Sequence, residues 1–75
     1  MPHIIVMHGA GKTEEQKALL TEKIIEGIVS TFGSQEAQIS IGFKEVQKSD
    51  WAATVYEPEI KAKWDSLTKK PGYTI

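Results

Sequence analysis

The chain contains no cysteine and no arginine. Without cysteine, neither disulfides nor thiolate metal sites can stabilise it. Without arginine it lacks the planar cation that grips a carboxylate with two hydrogen bonds at once. Its positive charge rests on nine lysines, scattered among ten carboxylates for a formal net charge of −1. No basic stripe therefore points to nucleic acid or to an anionic lipid surface. Long apolar runs are missing too: none approaches the ~20 residues that cross a bilayer. The N-terminus has neither the charged n-region nor the long h-region of a secretory signal. The expectation is a cytoplasmic protein with no membrane or nucleic-acid partner.

What is present is small and apolar enough to fold. Seventy-five residues make a single domain, 1–75, near the lower limit at which a chain buries a sufficient core alone. With disulfides excluded and 40% of residues hydrophobic, oligomerisation is the expected remedy.

The run His3-Ile4-Ile5-Val6-Met7-His8, closed by Gly9 and Gly11, reads as a strand covered on both faces. Thr13-Glu14-Glu15-Gln16 is a capping box with Thr13 as N-cap. Leu20, Ile24, Ile28 and Phe32 recur every four residues, widened by Leu19, Ile25 and Val29. That is an amphipathic helix of about five turns, stopped by Gly33. Ile39, Ile41 and Phe43 alternate with Ser40, Gly42 and Lys44, the period of a strand with one apolar face. Together these form a β-α-β unit with a right-handed crossover. Residues 45–54 read as a connection, with Asp50 capping a short turn through Trp51. Residues 57–67 read as a second, shorter helix with Pro58 in its first turn. A two-stranded sheet leaves its edges and one face open, so a second copy completing a four-stranded sheet is expected.

Several residues stand out as carriers of chemistry. Gly11-Lys12-Thr13 lies where a phosphate-binding loop would, but the glycine required five positions before Gly11 is Val6, which excludes that motif. Lys12, beside a helix N-terminus where anions are favoured, is either solvated or holds a substrate carboxylate. His3 and His8, five apart on one strand, face opposite sides and cannot share a metal ion; both read as structural. Trp51 sits in a loop and serves either core packing or an apolar ligand wall. Tyr73 lies so near the C-terminus that it needs a docking surface, with the partner subunit a candidate.

Pro2 is the most telling of them. Methionine is generally removed before a small second residue, leaving a secondary amine at the mature terminus. An α-amino group titrates near pH 8, and burial or nearby cations would lower that toward neutrality, where general bases work best. The plainer reading is a proline opening an edge strand.

Met1-Pro2-His3-Ile4, the stretch Gly11 to Lys17, the strand Ile39-Ser40-Ile41 and the loop from Glu45 to Trp51 occur in the order and spacing of the 4-oxalocrotonate tautomerases. The chain resembles that family over almost its whole length, and most closely its longer PptA-like members, which share a short second helix and an ending like Lys69-Lys70-Pro71-Gly72-Tyr73. The resemblance implies an α+β protomer, with two parallel strands, a long helix and a short C-terminal one, that dimerises into a four-stranded sheet. It implies a tautomerase that uses no metal or organic cofactor, with Pro2 as general base and acid on a 2-hydroxydienoate or an aryl enol-pyruvate. Two arginines bind substrate in the family. Lys12 and Ser40 stand at the matching positions, and Trp51 at the aromatic position of the apolar wall. The assembly it implies is a homodimer, with a hexamer as the alternative.

Because Lys12 replaces a bidentate cation and Ser40 brings no charge, a monocarboxylate enol such as enol-phenylpyruvate fits better than a dicarboxylate. Two other functions stay open on the sequence: hydration or dehalogenation of an unsaturated acid on the same fold, and a non-catalytic oligomeric binding protein.

Overall fold

A computed structural model describes every residue, Met1–Ile75. The chain forms two compact units, Met1–Glu45 and Val46–Ile75. The first is the β-α-β unit: strand β1 (His3–His8), helix α1 (Glu14–Phe32) and strand β2 (Ser40–Glu45). The strands are parallel, with His3 opposite Ser40, Val6 opposite Phe43 and His8 opposite Glu45. The expected fold class and order of elements hold.

The register divides the side chains between two faces, since neighbours along a strand alternate. Ile4, Val6, His8, Ile41 and Phe43 occupy one face. His3, Ile5, Met7, Ser40, Gly42 and Lys44 occupy the other. Helix α1 covers the first, because Val6, His8 and Phe43 line a common pocket with its residues Gln16, Lys17 and Leu20. On the opposite face Ile5 is 49% exposed. There a Cβ on Gly42 would come within 3.1 Å of Ile5 Cδ1, so glycine lets the isoleucine lie flat across its neighbour strand.

Helix α1 begins and ends on the residues that sequence chemistry selects. Gln16 N–H donates to Thr13 Oγ1 at 3.1 Å, and Thr13 N–H donates to Gln16 Oε1 at 2.9 Å. Both bonds of the capping box are thus made, which satisfies two backbone donors that a helix start leaves free. At the far end Gly33 takes φ 73°, ψ 15° and donates to the Val29 carbonyl at 3.1 Å, the left-handed stop that glycine adopts without a Cβ penalty. A 3₁₀ turn at Glu36–Gln38, which the alternating pattern did not reveal, leads into β2.

In the second unit a 3₁₀ turn, Lys48–Asp50, leads through Trp51 into a π-helix, Ala52–Lys61, and a further 3₁₀ turn at Trp64–Ser66. The short helix expected over 57–67 is therefore corrected: it starts five residues earlier and breaks after Lys61. Pro58 lies inside it and not in its first turn. Proline cannot donate a backbone N–H. The wider i→i+5 turn is seen in the bond from Ala62 N–H to the Glu57 carbonyl at 3.0 Å. Val55 and Tyr56, from the middle of this helix, and Val46 are the buried hydrophobic residues of the chain, each 4% exposed. Tyr73 docks on its own chain: its ring lies 5.9 Å from that of Tyr56, and its hydroxyl accepts a hydrogen bond from Trp51 Nε1 at 3.1 Å. No helix is long and apolar enough to cross a membrane.

Candidate active site

Pro2 stands just ahead of β1, half-buried, with its carbonyl accepting the Ser40 N–H at 3.1 Å. That bond extends the ladder by one step and fixes the position of Pro2 against the first residue of β2. Met1 projects from it and is 97% exposed. Ser40 is exposed, and its Oγ lies 2.6 Å from His3 Nδ1. Pro2, His3 and Ser40 therefore form one cluster at the N-terminal end of the sheet.

Lys12 lies at the other end. The chain leaves β1, turns through Gly11 at φ 96°, a left-handed conformation that favours glycine, and presents Lys12 beside the α1 N-terminus. Pro2 precedes and Lys12 follows a six-residue strand, which spans roughly 20 Å at about 3.3 Å per residue. Lys12 is exposed and joins none of the three ion pairs, which are Lys17–Glu14, Lys61–Glu57 and Lys63–Glu59. It lies at a pocket of about 240 Å³ whose other walls are Val6, His8, Gln16, Lys17, Leu20 and Phe43. His8 Nδ1 donates to the Gly9 carbonyl at 2.7 Å, and the ring meets Phe43 edge-on at 6.0 Å. Its Nε2 is buried without a partner.

Trp51 belongs to the second unit, half-buried, with its indole N–H held by Tyr73. Of the four residues that the resemblance places in the site, then, Pro2 and Ser40 are neighbours, Lys12 follows the far end of β1, and Trp51 is bonded within its own unit. His3, read from the sequence as structural, is bonded to Ser40. The two are 37 positions apart, and only the strand register brings them together. No group of three or more His, Asp or Glu side chains converges as a metal site would require.

Comparison with known proteins identifies the family. Residues 2–57 match the model of a family described as "Tautomerase enzyme", and that span starts on Pro2. The chain is 40% identical to the Tautomerase PptA of Pectobacterium carotovorum over 99% of both chains. It is 40% identical to the Tautomerase PptA of Enterobacter sp. over the full length of both. A "Probable tautomerase" of Xylella fastidiosa is 32% identical, over 97% of this chain and 89% of its own. Full-length identity at this level joins a fold whose first described strand opens directly after a proline, and the chain belongs to the tautomerase family, PptA-like members of the 4-oxalocrotonate tautomerases, and is an isomerase.

Proposed function

We propose that the chain catalyses cofactor-independent keto–enol tautomerisation of a monocarboxylate enol-pyruvate with an aryl or apolar tail, of which enol-phenylpyruvate is the type. Pro2, freed by removal of Met1, is the general base and then the general acid. The observation that carries this reading is the Ser40 N–H···O=C Pro2 bond of 3.1 Å, which ties the terminal proline to the sheet instead of leaving it to fray. A base is effective only when held in reach of the proton it moves.

The chemistry follows from the enol itself. The Pro2 nitrogen takes the hydroxyl proton at C2, and the oxygen's electron pair closes the carbonyl. The former double bond then takes the same proton back from Pro2 at C3, or at C5 when the substrate is a 2-hydroxydienoate. Pro2 ends as it began. The Ser40 hydroxyl donates to the substrate oxygen while that oxygen carries negative charge. Lys12 supplies the cation for the carboxylate.

The strand between Pro2 and Lys12 of one chain, roughly 20 Å long, exceeds the length of such a substrate, and on this reading the Lys12 that completes each site comes from a second copy. Exposed Leu19, Leu20, Val29 and Phe32 on α1, together with two unpaired strand edges, support that assembly. We take it to be a homodimer. With no arginine to meet a second carboxylate, a dicarboxylate enol reacts more slowly. A lost charge-assisted contact to a developing oxyanion costs about two to three orders of magnitude in rate.

Ketonisation of enol-phenylpyruvate, followed across pH with wild type and Pro2→Ala, both checked by intact mass for loss of Met1, tests the reading. Wild-type kcat/KM rises with pH and levels off once the amine is deprotonated. Pro2→Ala falls by about 10²-fold, the lower end of what general acid–base catalysis contributes. Equal rates from two correctly processed proteins would remove Pro2 from the mechanism.

A further inference from the structure

We propose that His3 is the positioning residue of this site, donating from Nδ1–H to Ser40 Oγ so that the serine's only proton is aimed at the substrate oxygen. The inference rests on the reading above, in which Pro2 is the base and Ser40 meets the enol oxygen. It adds a direction to one hydrogen bond and a role to His3.

The geometry is specific. His3 and Ser40 are directly opposed in the parallel register, so their side chains leave the sheet on the same face. Their polar atoms are 2.6 Å apart, at the short end for any hydrogen bond to oxygen. Ser40 is in turn pinned by its own N–H to the Pro2 carbonyl. Turning the hydroxyl therefore requires no movement of the backbone, and His3 is the side chain bonded to it.

A serine hydroxyl has one proton and two lone pairs. Were that proton given to His3 Nδ1, Ser40 would face the substrate with lone pairs only, which repel an oxygen gaining negative charge. With Nδ1–H as the donor, the hydroxyl proton is left for the substrate, and donation into Oγ polarises the O–H and strengthens it as a donor. In a chain without arginine, this two-step relay is the means by which an uncharged residue at position 40 stabilises an enolate.

The test has a spectroscopic arm and a kinetic arm. In ¹⁵N-labelled wild-type protein, the long-range ¹H–¹⁵N pattern of the His3 ring is expected to show a protonated Nδ1. An Nε2–H ring with a bare Nδ1 overturns the proposal, whatever the enzyme does. In ketonisation of enol-phenylpyruvate, His3→Phe lowers kcat roughly five- to tenfold, the worth of one net hydrogen bond, with KM unchanged. His3→Asn, whose amide N–H falls near the place of Nδ1, recovers most of that loss. Introduced into Ser40→Ala, His3→Phe costs nothing more, because the interaction it removes is already gone. Equal loss in both backgrounds would mean that His3 acts on the strand and not through Ser40, and would overturn the proposal. Pro2→Ala in the same assay keeps the two levels apart. If it retains full activity, the tautomerase mechanism fails, while the ring pattern of His3 still decides the direction of the bond.

Discussion

Lys12 is the one lysine of the proposed site, and none of the ion pairs of its own chain includes it. An ammonium on a flexible stem holds a carboxylate as a point charge and not as a fork. It contributes to holding substrate equally before and during proton transfer, and uniform binding of that kind appears in KM. Lys12→Ala is therefore expected to raise KM for phenylpyruvate by up to about fivefold, the scale of an exposed ion pair, with kcat close to wild type. Steady-state kinetics decide it, and a fall in kcat at constant KM would place Lys12 at the reacting oxygen. At this scale the sequence was readable where a residue's chemistry depends on its chain neighbours. Pro2 and Lys12 are marked by what precedes and follows them. His3 was not readable, because its meaning comes from Ser40, and that pairing exists only once the strand register is set. Tyr73 was hidden for the same reason, its hydrogen bond to Trp51 spanning 22 positions.

Helix α1 was legible almost to the residue because its signals are local: a capping box at Thr13, a four-residue apolar repeat and a glycine stop. The helix of the second unit was not. Its π-turns run through Val55 and Tyr56, residues of modest helix propensity, and past Pro58, which ordinarily marks a helix start. Tertiary burial of Val55 and Tyr56, each 4% exposed, outweighs both signals. The glycines of α1 offer a paired test of how far local rules carry the element. Gly33 has φ 73°, a region where an L side chain costs about 1–2 kcal/mol, so Gly33→Ala is expected to destabilise by that amount. Gly27 lies inside the helix, exposed, with nothing within 4 Å of a built Cβ. Gly27→Ala should stabilise by up to about 1 kcal/mol through reduced backbone freedom. Urea unfolding at one fixed protein concentration measures both; a loss at Gly27 would mean that another chain packs closely over that side of the helix.

The whole molecule depends on what its first unit leaves uncovered. No residue between Met1 and Glu45 is buried, although this stretch contains both strands and the long helix. Phe32 is 73% exposed, Leu19 55% and Ile5 49%, and both strands have a free edge. Apolar surface of this kind on a small domain marks an interface, and an unpaired edge is a template for a further strand. The sequence indicated the need for a partner through its size and lack of cysteine, but not which surface would be shared, because α1 carries its apolar stripe whether it covers a sheet or meets another helix. If the proposed site takes Lys12 from a second copy, then assembly, stability and activity are one equilibrium. Sedimentation velocity is expected to find a two-chain species at micromolar concentration, and a six-chain species would identify the hexamer instead. The thermal midpoint should rise with protein concentration, as it does when folding and association are linked. Specific activity should fall on dilution along the same curve. A folded monomer with a midpoint independent of concentration would refute the shared site, since that site takes its Pro2 and its Lys12 from different chains.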